Sequence, residues 1–193
     1  MKLLIKAVMF SAACALAATS AQAADYTVSA HDNSSTGGTS VGTLTLTAGE
    51  TFTVSAGLGD LWSAGALPRW SNANGLTGTV IATGSDESGQ PVGTVIGSNF
   101  GTWTENGYSA PYGSLVGEIG GHFLTLGAGF IGAAPAAGKL NLFYWDSNNA
   151  DNTGSVLVHV NAVPEPGTYL MLGAGLLLLG GASRRRQQDK FTS

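Results

Sequence analysis

The chain is short of charge. Asp, Glu, Lys and Arg make up 10% of its 193 residues, against about 25% in ordinary soluble proteins. It has one cysteine, Cys14, and three histidines, His31, His122 and His159. Each shortage excludes a class. A nucleic-acid binder carries a basic face, whereas the formal net charge here is −4. A charged disordered chain has few apolar residues, whereas hydrophobic residues are 44%. Coiled coils and helical bundles are rich in Glu, Lys, Arg and Ala and poor in glycine, whereas glycine is 29 of 193. A single cysteine leaves no disulfide framework, thiolate metal site or Cys-based pairing to consider.

The charge that is present collects at the ends. Residues 1–23 open with Lys2 and Lys6, run apolar over 7–18, and close on Ala21-Gln22-Ala23. A basic start, a short apolar core and small residues at Ala21 and Ala23 make a secretory signal, cut after Ala23 by signal peptidase. The apolar run is short for a bilayer core of about 30 Å, which argues against a first membrane anchor. Cys14 leaves with the signal, so the exported chain reaches a disulfide-permissive compartment without a thiol.

At the other end, Pro164-Glu165-Pro166 cannot continue a helix. Residues 168–182 are uncharged and mostly apolar, and Arg184, Arg185 and Arg186 follow. As a helix this segment is ~22 Å long. A basic cluster after an apolar segment stays cytoplasmic, so the segment is expected to anchor in the inner membrane with the domain outside. A Pro-Glu-Pro motif, a short apolar segment and an arginine cluster in this order resemble the PEP-CTERM sorting signal. The resemblance spans about residues 163–186, with 163–187 taken as the sorting segment and 188–193 as a cytoplasmic tail. It implies a Gram-negative bacterium, recognition by an exosortase, and cleavage near Pro164–Pro166. A permanent tail anchor is the alternative.

Between the ends, residues 24–162 alternate apolar with hydroxyl or polar residues in short segments broken by Gly, Asn and Ser. Strands are expected over 26–30, 41–47, 51–56, 79–83, 94–97, 114–119, 122–126, 140–145 and 155–161. Nine such strands with turn signals between them predict an all-β fold, an antiparallel jelly-roll-like β-sandwich. Glycine then serves tight connections that need positive φ. Residues 31–40 are expected to form a flexible loop, and 84–113 a long loop around one short strand.

Catalytic patterns are poor. His159 alternates with Val156, Val158 and Val160, which puts it on the outward face of a strand. His122 begins a strand after Gly120-Gly121. No nucleophile elbow appears, and no carboxylate pair stands in an apolar setting suited to glycoside hydrolysis. The chain is therefore read as a non-enzyme, with a hydrolase the weakest reading. The richest stretch lies between the last two expected strands: Asp146, Asn148, Asn149, Asp151 and Asn152 place five oxygen-bearing side chains in seven residues. Calcium takes six to eight hard oxygen ligands, and a loop at a sandwich end can wrap them around one ion. The same residues also make ordinary solvated turns. The spacing is not that of an EF-hand, since Ala150 and the missing closing Glu break it.

This strand, acidic-Asn loop, Gly-Ser and last alternating strand resemble the end of the calcium-dependent galactophilic lectin family. Upstream, residues 48–57, Pro68-Arg69-Trp70, residues 110–120 and residues 135–140 resemble that family's early strand, Trp-containing loop, central strand and approach to the penultimate strand. The resemblance covers about residues 41–160. It implies a jelly-roll sandwich that binds sugar through Ca2+, with Asp146 touching both ion and sugar hydroxyls. Asp151 and Asn152 match an adjacent asparagine pair, with one Asn changed to Asp. Trp62 falls near the position whose main-chain carbonyl completes the ion's shell. The loop is two residues shorter than the family's, so Asn148 or Asn149 stands for a threonine ligand. The family's sugar-contacting His and Gln fall in a region where this chain carries an insertion, so the resemblance assigns them no residue here and does not extend to galactose specificity. Trp62, Trp70 and Trp103 are open between core packing and apolar faces for sugar rings, with Trp103 the candidate for sugar contact.

The sequence thus predicts an exported, exosortase-sorted surface or extracellular-matrix protein with a calcium-dependent carbohydrate-binding domain. Its partners are expected to be signal peptidase, exosortase, an extracellular polysaccharide or glycan and, before processing, the inner membrane; nucleic acid is not among them. The alternative is a structural matrix or biofilm protein of the same fold that binds no sugar. Within residues 24–163 only Arg69 and Lys139 are basic against ten acidic residues, a net charge of −8. The modest charge of the whole chain averages an acidic domain with two positively biased ends.

Overall fold

The computed structural model of the chain describes residues 22–163 and 173–176. The chain divides into two units, Ala21–Glu165 on one hand and Met1–Ser20 with Pro166–Ser193 on the other. Ala21, the motif residues Pro164, Glu165 and Pro166, and Arg184, Arg185 and Arg186 lie outside the described residues. So does most of the expected apolar segment, of which residues 173–176 are α-helical. Among the described residues no helix is long and apolar enough to cross a membrane.

The larger unit is built of strands, as the period-two pattern predicts. In chain order these are β1 (Gln22–Ser29), β2 (Val41–Leu46), β3 (Thr51–Ala56), β4 (Trp62–Ser63), β5 (Trp70–Ser71), β6 (Val80–Ile81) and β7 (Val95–Gly97). Then follow β8 (Thr102–Glu105), β9 (Tyr108–Pro111), β10 (Leu115–Ile119), β11 (His122–Thr125), β12 (Gly129–Ala133), β13 (Gly138–Tyr144) and β14 (Thr153–Val163). One sheet runs β12-β3-β14-β4-β5, with β1 also paired to β14; a second runs β11-β10-β13-β2. The ladders within both sheets are antiparallel. Alternate residues of the two sheets meet in one core: Leu44, Leu46, Leu115, Ile119, Leu140 and Leu142 from one, Val28, Phe52, Val54, Val156, Val158 and Val160 from the other. That shared core makes the fold an antiparallel β-sandwich, as expected.

Two expectations about loops are corrected. The segment 84–113 is not a long loop around one strand: besides β7 it holds the hairpin β8–β9. The hairpin turns on Asn106 (φ 51°) and Gly107 (φ 77°), the Asn-Gly pair that suits a tight two-residue connection. It covers the outer face of the second sheet, where Ala110, Val116 and Trp145 form a separate buried cluster with Trp103, Tyr108 and Phe123 packed on it. Residues 31–40 are not a free loop either. Ser34 is fully buried and bridges Tyr144, Ser35 N donates to Tyr144 O at 2.8 Å, and Asn33 Nδ2 donates to Thr39 O at 2.8 Å. The contacts with Tyr144 tie the segment to the end of β13, and the Asn33–Thr39 bond closes it on itself.

Candidate functional site

The loop from Asp146 to Asn152 joins β13 to β14 and meets two others, residues 31–39 and 64–69, at one end of the sandwich. Asp146 stands two residues beyond the strand end, after the buried Trp145. Its main chain is pinned by Ser35: Asp146 N donates to Ser35 Oγ at 3.2 Å, and Ser35 Oγ donates to Asp146 O at 3.0 Å. Its carboxylate Oδ1 accepts from Ser147 N at 2.7 Å. Asp146 is only 4% exposed. Burial raises its pKa above the usual carboxylate value, and the neighbouring Asp151 charge adds to the rise; the Ser147 N–H, the Asn152 side chain and Arg69 act the other way.

Asn152 is equally buried. Its amide donates to Ala30 O at 3.1 Å, while its Oδ1 is enclosed without a hydrogen-bond partner. Within the loop, Asn148 Nδ2 donates to Asp151 Oδ1 at 3.1 Å and Asn148 Oδ1 accepts from Ala150 N at 3.1 Å. Asn149 turns the other way, donating to Gly37 O at 3.1 Å and His31 O at 3.4 Å. It acts as a strut to the 31–39 loop. Asp151 Oδ2 faces Gly65, whose φ is +110°, and a Cβ there would run into that oxygen. Beneath the loop, Tyr144 OH is buried and unpartnered. Burial first, then Asp146 and Asp151, push its pKa well above the usual phenol value.

The structure therefore brings Asp146, Asp151 and Asn152 into one neighbourhood, with Asn148 attached to Asp151. Among the described residues no three His, Cys, Asp or Glu side chains gather in a metal-binding group; the oxygen donors here are two carboxylates and amides. Trp62 lies on β4, where Gly154 and Thr153 of β14 pair with Trp62 and Ser63. Its indole is in the core, fully buried, edge-on to Tyr144 at 4.6 Å, with Nε1 donating to Gly113 O at 2.9 Å. A sugar face from Trp62 is thereby excluded, although its main chain stays beside the loop. Trp70 packs on the small cluster of Leu61, Ala82 and Ile96. Trp103 is half-buried on β8, and its carbonyl accepts from Trp145 Nε1 at 2.9 Å. His159 is outward, as expected, and pairs with Asp25 at 2.6 Å. Ala23 lies in β1 opposite Asn161.

Three residues at this end escaped the sequence reading of the site: Ser35, Gly65 and Arg69. Arg69 Nη1 is 3.8 Å from Asp151 Oδ2 and 3.3 Å from Ala64 O, to which it donates. Its guanidinium lies over the Phe100 ring at 4.6 Å. The signal for it was the charge count, since Arg69 is one of only two cations in residues 24–163.

Residues 162–186 match the family model of the PEP-CTERM protein-sorting motif. The motif implies export, exosortase processing and sorting to the cell surface. No curated protein matches the chain. Among solved structures, one described as "EclA N-terminal domain; PllA-like lectin" is similar at 23% identity and a TM-score of 0.44, over 72% of this chain and 95% of that one.

Proposed function

We propose that this protein of a Gram-negative bacterium is cut by signal peptidase, held at the inner membrane by its C-terminal apolar segment and released by exosortase to the surface or matrix. There its sandwich binds Ca2+ in the 146–152 loop and, through the ion, an extracellular glycan. The observation that carries the cation is Asn152 Oδ1, a buried acceptor without a partner next to a buried carboxylate. An unsatisfied buried acceptor costs about 1–3 kcal/mol, and buried charges are ordinarily paired or coordinated to metal. A hard dication relieves both. Asp146, Asp151 and Asn152 would hold it, with Asn148 and the main chain of Trp62 as further oxygen donors. Vicinal sugar hydroxyls then replace water on the ion. The protein binds and breaks no bond. One observation favours a second reading, a structural matrix protein of the same fold: Arg69 already faces Asp151 and offsets part of the loop's charge without any ion.

Calcium-dependent melting of the full-length chain in detergent tests this. A ligand at a hundred times its Kd adds about 2.7 kcal/mol, which for a chain of this size is a rise in Tm of roughly 5–10 °C. Asp146→Ala should abolish the rise. A melt indifferent to calcium removes the cation site. A glycan array run with and without calcium then separates a lectin from a scaffold, the scaffold binding nothing in either condition.

A further inference from the structure

We infer that the glycan taken by this site is acidic, carrying uronate residues, and that Arg69 selects it. The inference rests on the cation reading above and deepens it. With a dication on Asp146 and Asp151 the two carboxylates are neutralised, so the positive charge of Arg69 is left over. A guanidinium beside a dication is repelled unless an anion lies against both. Yet Arg69 is held where it is. Its guanidinium carbon lies over the Phe100 ring, 4.6 Å from the centroid, and one N–H is fixed by the Ala64 carbonyl. Its separation from Asp151, 3.8 Å, is too long for a direct hydrogen bond. Of five guanidinium N–H donors, one hydrogen bond is made among the described residues. The side chain is 37% exposed, so the remaining donors have access to solvent.

A planar fork with open donors fits a carboxylate in two parallel hydrogen bonds. The arrangement suits a sugar that places hydroxyls on the ion and a ring carboxylate on Arg69. Residues 24–163 as a whole, at a net −8, repel a polyanion at long range. An acidic polymer is therefore accepted only at this end of the sandwich.

The test compares binding of trigalacturonate with that of the neutral galactotriose by the full-length chain in detergent at saturating calcium. A charge-assisted pair is worth about 1.5–3 kcal/mol, so the wild type should prefer the acidic trimer by roughly tenfold or more. Arg69→Gln should bring the ratio close to one, and Arg69→Lys, a point charge without the fork, should fall between. Lys139→Gln, which removes the other basic residue of residues 24–163, should keep the wild-type preference. A calcium-induced rise in Tm in the Arg69→Gln variant shows that it folds and loads. Equal ratios in wild type and Arg69→Gln, or no binding of the acidic trimer by a chain that does respond to calcium, overturn the inference and leave the cation reading standing. A wild type that does not respond to calcium overturns both.

Discussion

Asp146 shows at residue scale how burial and coordination oppose each other. In the metal-free fold its ionised form is the costly one, because burial raises its pKa above the usual carboxylate value. The folded chain then holds the proton to higher pH than the unfolded chain does. The contribution of this group to stability is full below the unfolded carboxyl range and is lost as pH rises through the raised folded pKa. Calcium needs the ionised form and competes with that proton. The calcium-induced rise in Tm should therefore shrink on acidification, beginning above the pH where an ordinary carboxylate, near about 4, starts to protonate. Melting curves over a pH series at fixed calcium check this. A rise undiminished down to about pH 4 contradicts the assigned role of Asp146.

At the scale of elements, the loop 146–152 is shaped by its neighbours as much as by its own residues. Ser35 grips Asp146, Gly37 and His31 receive Asn149, and Gly65 leaves room for Asp151. Gly65 has φ +110°, where a side chain is strained, and its missing Cβ is the space the Asp151 carboxylate uses. Gly65→Ala should cost more than about 1 kcal/mol of stability and move Asp151 out of place, weakening the calcium response while the rest of the sandwich persists. Thermal melts with and without calcium, with far-UV circular dichroism as the fold check, measure both effects. A variant with wild-type calcium response would show that Asp151 is not needed there. The same scale explains the hairpin β8–β9. Its Asn-Gly turn stood in the sequence, but the Gly, Ser and Asn across residues 84–113 read as loop. What makes it a hairpin is the sheet beneath, where Trp145 donates to the carbonyl of Trp103 and Tyr108 packs on Phe123.

For the whole molecule, the first residues of β1 and the last of β14 lie side by side at one corner of the sandwich. β1 runs against β14 so that Gln22 lies opposite Ala162 and Ala23 opposite Asn161. Cut after Ala23, as proposed, the chain would lose two of the eight residue pairs on that ladder and keep Val28 in the core. At the other terminus β14 is paired through Val163, opposite Thr51, one residue before the motif. Cleavage at Pro164–Pro166, as proposed, would thus spare every described strand pair. Replacing Pro164, Glu165 and Pro166 together by Ala should keep the chain uncut in the membrane fraction of an exosortase-bearing host. Fractionation with intact-mass measurement checks this, and release at the wild-type mass would count against exosortase processing.

The sequence by itself determined the β class, most of the long strands, the sorting motif and the acidic loop. These are local patterns: period-two alternation, turn residues, and a fixed order of Pro-Glu-Pro, apolar run and arginines. It left Trp62 open between core packing and a sugar face, because a large aromatic reads alike whether its ring lies in a core or on a surface. Only the tertiary structure decided that Trp62 fills the core against Tyr144, that residues 31–40 are bound down, and that Arg69, some eighty residues away in the chain, stands beside Asp151. Burial and charge pairing are properties of neighbours in space, and in an antiparallel sandwich those neighbours come from distant parts of the chain.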